Sequence, residues 1–191
     1  MIKRFKIEIT GTTPLICNRF TDEASLAAGS SERGAVTLSE MTPMEESETK
    51  LYKNEDGSLM IPGANLMACV TEGGKFFKIG KNKVTTLKTS MVSGAVMMET
   101  VTIPLQSREG WTVDTRPVRI PTTGGRIPRH RPIFNDWVLA FECELDASLI
   151  SPKMFREIVD AAGKRIGLGD FRPACKGMYG KFKVTKWENG A

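Results

Sequence analysis

Apolar and polar positions alternate in the segments 4–9, 137–145 and 181–186, and this period of two predicts a half-buried β-strand in each. The alternation is longest in the segment 137–145. There, one face of the predicted strand carries the apolar side chains of Trp137, Leu139, Phe141, Cys143 and Leu145. A further strand is predicted across residues 95–105.

Two segments instead show the apolar period of an amphipathic helix. In residues 152–166, the apolar positions recur at helical spacing and are Phe155, Ile158, Val159, Ala162 and Ile166. Ser151 suits the N-cap of this helix, Pro152 its first position, and Gly167 the residue that ends it with a positive φ. A second, shorter helix is predicted over residues 64–72.

The order of the elements predicts the fold class. The turn sequence Asn-Glu-Asp-Gly at residues 54–57 adds a short hairpin between residues 51–52 and 59–61. The chain then follows the order β, helix, β, long excursion, β, helix, glycine loop, β. This is the order of a ferredoxin-like (RRM-like) βαββαβ core in the α+β class. We expect residues 1–191 to form a single domain.

Two long segments interrupt this order. Residues 18–49 are rich in Ser, Thr, Glu, Ala and Gly without a sustained apolar period, so we predict a loop insertion there. Residues 106–133 contain four prolines and a Gly-Gly pair. Such a composition is incompatible with a helix and unfavourable for a central strand. We therefore predict a protruding loop or an irregular hairpin.

Composition excludes several classes of protein. The chain is 40% hydrophobic and 26% charged, and no apolar run approaches the length of a membrane span. Its first residues enter a strand pattern instead of a signal peptide, so we expect a cytoplasmic protein without a membrane partner. The four cysteines form no C-x-x-C pair, which argues against a zinc cluster and a disulfide framework. We expect no metal site and no cofactor.

Charge is unevenly distributed along the chain. The net charge is +5, but residues 19–57 contain nine acidic and four basic residues, whereas residues 108–191 contain fifteen basic and ten acidic residues. Within residues 108–131 there are six arginines and no lysine. The planar guanidinium group suits bidentate contact with phosphate, so this segment favours a polyanionic partner.

A glycine-rich loop follows the second helix. Its glycines are Gly167, Gly169, Gly177 and Gly180. They are interleaved with the cations Lys164, Arg165, Arg172, Lys176 and Lys181. Glycines in a positive field predict accessible backbone N–H groups that bind phosphate. We expect the arginine-rich excursion and this loop to meet over one sheet. The aromatic residues Phe171 and Tyr179 either stack on bases or pack beneath the loop.

Two short motifs resemble those of a known family. The sequence Ile-Pro-Gly-Ala-Asn-Leu at residues 61–66 opens the first helix, and the glycine loop precedes the last strand. Together with the order of elements, they resemble the RAMP superfamily, and within it the backbone subunits of CRISPR effector complexes. Family members usually have a basic residue and a glycine after the leucine, where this chain has Met67 and Ala68.

The resemblance implies an RNA-binding subunit without enzymatic activity. Copies of such a subunit assemble side by side along a single-stranded guide RNA, together with other effector subunits. The segment 110–132 would be the thumb that kinks the guide, with Ile120 or Ile127 as its apolar wedge. The implied RNA-binding residues are Arg108, Arg116, Arg119, Arg126, Arg129, His130, Arg131, Lys164, Arg165, Gly167, Gly169, Arg172, Lys176 and Gly177.

Two alternatives remain open at this stage. Some members of the superfamily are endoribonucleases, for which His130 would be the candidate general base and Asp22 the candidate catalytic aspartate. The acidic segment 19–57 would instead suit a protein that mimics or caps a CRISPR complex. The sequence also leaves RNA and single-stranded DNA equally acceptable, since phosphate contacts do not distinguish them.

Overall fold

A computed structural model describes residues 1–20, 41–119 and 124–190. The strands in these residues are β1 (Ile2–Gly11), β2 (Leu15–Ile16), β3 (Met60–Pro62), β4 (Lys78–Ile79), β5 (Asn82–Lys83), β6 (Val96–Met98), β7 (Thr102–Gln106), β8 (Thr112–Arg119), β9 (Arg126–Phe134), β10 (Val138–Asp146) and β11 (Phe182–Asn189). The α-helices are α1 (Pro43–Thr49), α2 (Gly63–Gly73), α3 (Met91–Ala95) and α4 (Pro152–Ala161). The predicted strands at 4–9, 137–145 and 181–186 and the helix at 64–72 are therefore confirmed.

The architecture is mixed α+β. Its main antiparallel sheet has the strand order β11-β1-β10-β7-β3, and β6 also pairs with β10. In the register of the central strands, Ile7 lies opposite Phe141 on one side and Trp187 on the other. Alternate residues of these strands are buried against the helices, including Phe5, Ile9 and Leu139. The opposite face is polar.

The prediction of one strand across residues 95–105 is wrong in one respect, because the structure divides this segment into β6 and β7. Residues 99–101 separate the two strands, and Thr100 and Val101 contact Gly63, the first residue of α2. The N–H of Gly63 donates to the carbonyl of Val101 at 2.7 Å, and a Cβ on Gly63 would press against the carbonyl of Thr100. Accommodating the beginning of α2 therefore interrupts the strand.

A second sheet has the order β2-β9-β8 and contains the arginine-rich excursion. The expectation of an irregular segment is wrong, since β8 and β9 pair continuously from Thr112–Ile133 to Arg119–Arg126. The prolines do not prevent this pairing because they occupy alternate positions, with Pro117 opposite Pro128. Residues between them are free to carry the hydrogen bonds of the ladder.

The predicted insertion at 18–49 contains helix α1 near its end. Thr42 caps this helix, and its hydroxyl accepts from the N–H of Glu45 while the Glu45 carboxylate accepts from the N–H of Thr42 at 2.7 Å. This reciprocal capping box explains why a helix forms without an apolar period. Residues 21–40 lie outside the described part of the chain.

The helix predicted over 152–166 forms as α4 followed by one π-helical turn, Ala162–Ile166. Ser151 caps α4 as expected, and Gly167 ends the π turn with φ 75°. Gly163 within the π turn packs so closely on the carbonyl of Phe182 that no Cβ would fit. The π turn thus fixes the end of the helix against β11.

No helix within the described residues combines the length and apolarity needed to cross a membrane. All four cysteines are free, and three of them are buried while Cys175 is exposed.

Candidate nucleic-acid interface

The arginine-rich hairpin and the glycine loop meet at the base of the hairpin. The Arg116 guanidinium lies over the rings of Tyr179 and Phe171, with its central carbon 4.6 Å and 5.5 Å from the two centroids. It also donates a hydrogen bond to the Tyr179 hydroxyl. On β9, Arg131 lies 5.4 Å from the Phe171 centroid and pairs with Asp170 at 3.2 Å. The arginine-rich segment and the glycine loop therefore do meet, through side chains at the base of the hairpin.

The sequence left open whether Phe171 and Tyr179 stack on bases or pack beneath the glycine loop. Both rings are partly buried, and both contact arginines of the hairpin. Cation–π contacts of this kind stabilise a protein by about 0.5–2 kcal/mol each. In this structure, the two aromatic residues pack between the loop and the hairpin.

Three arginines of the predicted RNA-binding set are neutralised within the protein. Arg116 makes a bidentate pair with Asp114, with nitrogen–oxygen distances of 2.8–3.1 Å. This pairing, together with the Tyr179 hydroxyl, raises the pKa of Arg116. Arg129 lies 3.5 Å from the buried carboxylate of Glu46 on α1, and Arg131 pairs with Asp170. Their charges hold α1, the hairpin and the loop together.

A second group of cations has no acidic partner within 4 Å among the described residues. Its members from the predicted set are Arg108, Arg119, Arg126, Lys164, Arg165, Arg172 and Lys176. Arg119 and Arg126 face each other near the tip of the hairpin and are exposed. These seven residues are here called the open cations because no described carboxylate neutralises them. Two of them have other contacts, since Arg165 lies over the Phe76 ring at 4.6 Å and Arg172 donates to the carbonyl of Gly169 at 2.9 Å.

The glycine loop does not offer its amides in the predicted way. The N–H of Gly167 donates to the carbonyl of Ala162 at 2.9 Å, and the N–H of Gly177 donates to the carbonyl of Arg172 at 3.0 Å. The prediction of accessible amides at these two glycines is therefore wrong. The exposed Gly169 accepts a hydrogen bond from Arg172 through its carbonyl at 2.9 Å.

Close packing explains the glycines instead. A Cβ at Gly177 would overlap the carbonyl of Phe171, one at Gly180 would overlap the carbonyl of Leu168, and one at Gly169 would overlap the carbonyl of Ile16. The loop therefore folds back on itself and on the end of β2. The N–H groups of Gly167, Gly177 and Gly180 donate to carbonyls of the protein, and close packing accounts for glycine at these positions.

The two candidate catalytic residues are His130, which the structure describes, and Asp22, which it does not. His130 is mostly buried; its Nδ1 shares a hydrogen bond of 2.8 Å with the Thr115 hydroxyl, and its Nε2 lies 4.0 Å from Glu46. Asp22 lies outside the described residues, as does the wedge candidate Ile120, while Ile127 is partly buried. Across the described part of the chain, no three His, Cys, Asp or Glu residues are grouped as metal ligands.

A cavity of about 350 Å³ lies between helix α2 and the glycine loop. Its walls are formed by the π turn and loop, by one side of α2 and by the segment after β2. The lining residues are Cys17, Asn18, Tyr52, Ile61, Asn65, Ala68, Cys69, Glu72, Ile166, Gly167, Leu168, Gly169, Asp170 and Arg172. Sequence reasoning missed this cavity, because only the tertiary fold brings the residues 61–72 and 166–172 together.

The charged groups of the cavity are held in place by hydrogen bonds and ion pairs. Asp170 accepts a hydrogen bond from the Asn18 amide at 3.1 Å, and Glu72 pairs with Lys75 at 2.8 Å. Burial raises the pKa of Cys17 and of Cys69 to about 12, so both thiols are protonated and unreactive at neutral pH. The two carboxylates of the cavity are therefore paired within the protein, and its two thiols are not nucleophiles at neutral pH.

No protein-family model and no curated protein sequence matches the chain. Among solved structures, a chain in the cryo-EM structure of the Type III-B Cmr-beta bound to cognate target RNA is 13% identical, with a TM-score of 0.56. That alignment covers 98% of this chain and 60% of the other, so this chain spans less than two thirds of that neighbour. Cmr6 from Pyrococcus furiosus is 10% identical with a TM-score of 0.47, over 96% of this chain and 98% of Cmr6.

At 13% identity, the alignment with the chain of the Type III-B Cmr-beta assembly shows that the two chains share a fold. The resemblance inferred from the order of elements and the two short motifs is therefore confirmed at the level of the fold.

Proposed function

We propose that this chain is a non-enzymatic subunit of a CRISPR effector complex that binds single-stranded guide RNA through its phosphates. The observation that carries the proposal is the distribution of the open cations over the hairpin and the residue Arg108 before it, the π turn and the glycine loop. The cations most deeply involved in the fold, such as Arg116 and Arg131, are neutralised by carboxylates. Exposed cations without such partners provide the sequence-independent attraction that dominates binding to nucleic acid.

The architecture supports the same assignment. We assign the central sheet to a ferredoxin-like core in which β1, β6 with β7, β10 and β11 are the four strands and α2 and α4 the two helices. The antiparallel order β11-β1-β10-β7 supports this assignment. The hairpin of β8 and β9 leaves this core between its second and third strands, where the resemblance expects the thumb. The fold neighbour in the Cmr-beta structure belongs to an assembly bound to target RNA.

A binding role without cleavage is favoured by the surroundings of His130. Thr115 occupies its Nδ1, and the ring is mostly buried, with Nε2 at 4.0 Å from Glu46, so a substrate has little access to the imidazole. A general base needs a free nitrogen within hydrogen-bond reach of the substrate. We further propose that copies of the chain lie side by side along the guide, as the resemblance implies.

A salt titration of binding to single-stranded RNA tests the proposal. We expect the logarithm of the affinity to fall linearly with the logarithm of the salt concentration, because each phosphate contact releases counterions. Labelled RNA should remain intact during incubation with and without magnesium. Absence of binding at low salt would refute the proposal, and cleavage of the RNA would replace it by the nuclease alternative.

A further inference from the structure

We propose that the short hairpin of β4 and β5, together with the loop after it, is a second contact for the phosphates of the bound strand. This segment, residues 75–88, is here called the lysine hairpin. The inference rests on the proposed function, and it extends the path of the strand beyond the glycine loop and the π turn. The segment contains no acidic residue and five lysines, which are Lys75, Lys78, Lys81, Lys83 and Lys88.

Most of these lysines keep their charge unneutralised. Within the described residues, a carboxylate lies within 4 Å of Lys75 alone, which pairs with Glu72 at 2.8 Å. The other four lysines are exposed. A surface whose charges share one sign raises the local concentration of a polyanion.

Two of the lysines repel each other across the ladder. Lys78 lies directly opposite Lys83 in the pairing of β4 with β5, so both side chains leave the same face of the two strands. Like charges in directly opposite positions destabilise a strand pair, and a pair this short is marginally stable by itself. A phosphate between the two ammonium groups would replace this repulsion by attraction. Local pairings that cost stability in this way are expected at functional sites.

The backbone of the lysine hairpin is fixed to the rest of the protein. The N–H of Val84 donates to the carbonyl of Phe77 at 3.0 Å, and the N–H of Met91 donates to the carbonyl of Val84 at 2.8 Å. The Val84 side chain is buried, and the hydroxyls of Thr85 and Ser90 share a hydrogen bond of 2.8 Å. A backbone that is already ordered limits the entropic cost of binding to the lysine side chains.

Three of the lysines line one groove. Lys75, Lys83 and Lys88 surround a volume of about 510 Å³, and Leu87 adds an almost fully exposed apolar side chain to its wall. This volume lies within the range of about 300–1,000 Å³ that is typical of ligand sites. The groove therefore has room for a sugar-phosphate group, with ammonium groups for the phosphate and apolar surface for the sugar.

The lysine hairpin adjoins the open cations of the π turn. The Arg165 guanidinium lies 4.6 Å from the centroid of the Phe76 ring, and Phe76 belongs to the lysine hairpin. Arg165 and its neighbour Lys164 are both open cations. One strand can therefore contact the π turn and continue onto the lysine hairpin.

The composition of this surface favours a nucleic acid over a second protein. Lysine is depleted at protein–protein interfaces, whereas it is a common donor to the phosphates of nucleic acids. Its ammonium group acts as a point charge without the planar fork of arginine. We therefore expect the lysine hairpin to add affinity that does not depend on the base sequence.

The test measures binding of single-stranded RNA of fixed length by fluorescence anisotropy over a series of salt concentrations. The variant Lys78→Gln/Lys83→Gln/Lys88→Gln removes three unpaired charges and keeps side chains of similar length. The slope of log affinity against log salt should fall by about 2, at about 0.7 per lost phosphate contact. The variant should melt at no lower temperature than wild type, because it also removes the repulsion between Lys78 and Lys83.

The matched control removes the same net charge from exposed positions of β1, α4 and β11. It is the variant Lys3→Gln/Lys153→Gln/Lys183→Gln, and it should keep the slope of wild type.

The outcomes separate this inference from the proposed function. If wild type does not bind at low salt, both fall. If wild type binds, an unchanged slope in the lysine-hairpin variant, or an equal fall in the control, overturns this inference alone. A lower melting temperature of the lysine-hairpin variant would assign the lysines to the fold and overturn it as well. So would salt-sensitive self-association that this variant loses while RNA binding stays unchanged, because the lysine hairpin would then contact a second copy of the chain.

Discussion

The Arg116 guanidinium lies 4.6 Å from the centroid of the Tyr179 ring and joins strand β8 to the glycine loop. The two residues are 63 positions apart in the chain, and their hydroxyl–guanidinium hydrogen bond makes the contact specific. Asp114 orients the guanidinium from the same strand. The hairpin is thereby attached to the loop by a charge that is not available for RNA.

Arg116→Ala should therefore lower the free energy of unfolding by about 2 kcal/mol, because it removes two cation–π contacts and leaves Asp114 without its partner. Urea denaturation measures this effect. Arg119→Ala on the same strand is the control and should change stability by less than about 0.5 kcal/mol, since Arg119 is exposed. Equal losses in the two variants would contradict the division of the arginines into two groups.

The double variant Arg119→Ala/Arg126→Ala should change RNA binding and leave stability unchanged. We expect unchanged stability, but a salt dependence of RNA binding whose slope is lower by about 1.4, at about 0.7 per lost phosphate contact with a single strand. The control Lys153→Ala/Lys183→Ala removes the same net charge from exposed positions of α4 and β11. An equal change of slope in the control would indicate attraction by net charge alone.

Sequence patterns predicted the central sheet because alternation and burial coincide there. Trp137, Leu139 and Phe141 are buried as the period of two requires. The regular hairpin was missed because the rule against proline in strands depends on register, and pairing Pro117 with Pro128 becomes visible only in three dimensions. Helix α1 carried a readable signal, the capping box of Thr42 and Glu45, that an apolar period alone does not detect.

Steric demand on the glycine loop can be measured directly. Gly177→Ala should destabilise the protein by about 2–3 kcal/mol, because its Cβ would overlap the carbonyl of Phe171. Gly94→Ala is the matched control in helix α3, where a Cβ would meet open space, and it should stabilise the protein by up to about 1 kcal/mol. Thermal or chemical denaturation of both variants checks the sign of each change. A tolerated alanine at position 177 would show that the loop is not closely packed.

The thiols provide a test of burial. Burial raises the pKa of Cys17, Cys69 and Cys143 to about 12, so few of these groups are thiolates at about pH 8. We expect a chromogenic disulfide reagent to modify only the exposed Cys175 rapidly in the native protein and all four thiols in urea. Rapid native modification of Cys69 would mean that the cavity opens more widely than the structure shows.

Asp136 should make the base of the hairpin sensitive to acid. Its carboxylate accepts hydrogen bonds from the N–H of Arg108 and the hydroxyl of Ser107, both at 2.8 Å, and these lower its pKa. A carboxylate with a lowered folded-state pKa stabilises the protein above its unfolded pKa, and this stabilisation is lost as the pH falls through the folded pKa. The melting temperature of Asp136→Asn should therefore lie below that of wild type at about pH 6 and approach it at about pH 2. A constant difference would assign the effect to something other than this titration.

The sequence predicted which residues form the candidate site better than it predicted the role of each residue. Arginines and glycines were recognised from composition, and their convergence followed from the order of elements. Their division into neutralised and open cations depends on Asp114, Glu46 and Asp170, which approach from separate segments. A single sequence does not reveal such pairings, because each of them joins residues through the tertiary fold.

Arg131 connects the hairpin to the lining of the cavity beside the glycine loop. It lies on β9, whose far end carries Arg126, and it grips Asp170, which lines the cavity. A displacement of β9 at Arg131 would therefore move Asp170 unless this ion pair breaks. Movement of the hairpin would thereby be coupled to the shape of the cavity beside the glycine loop.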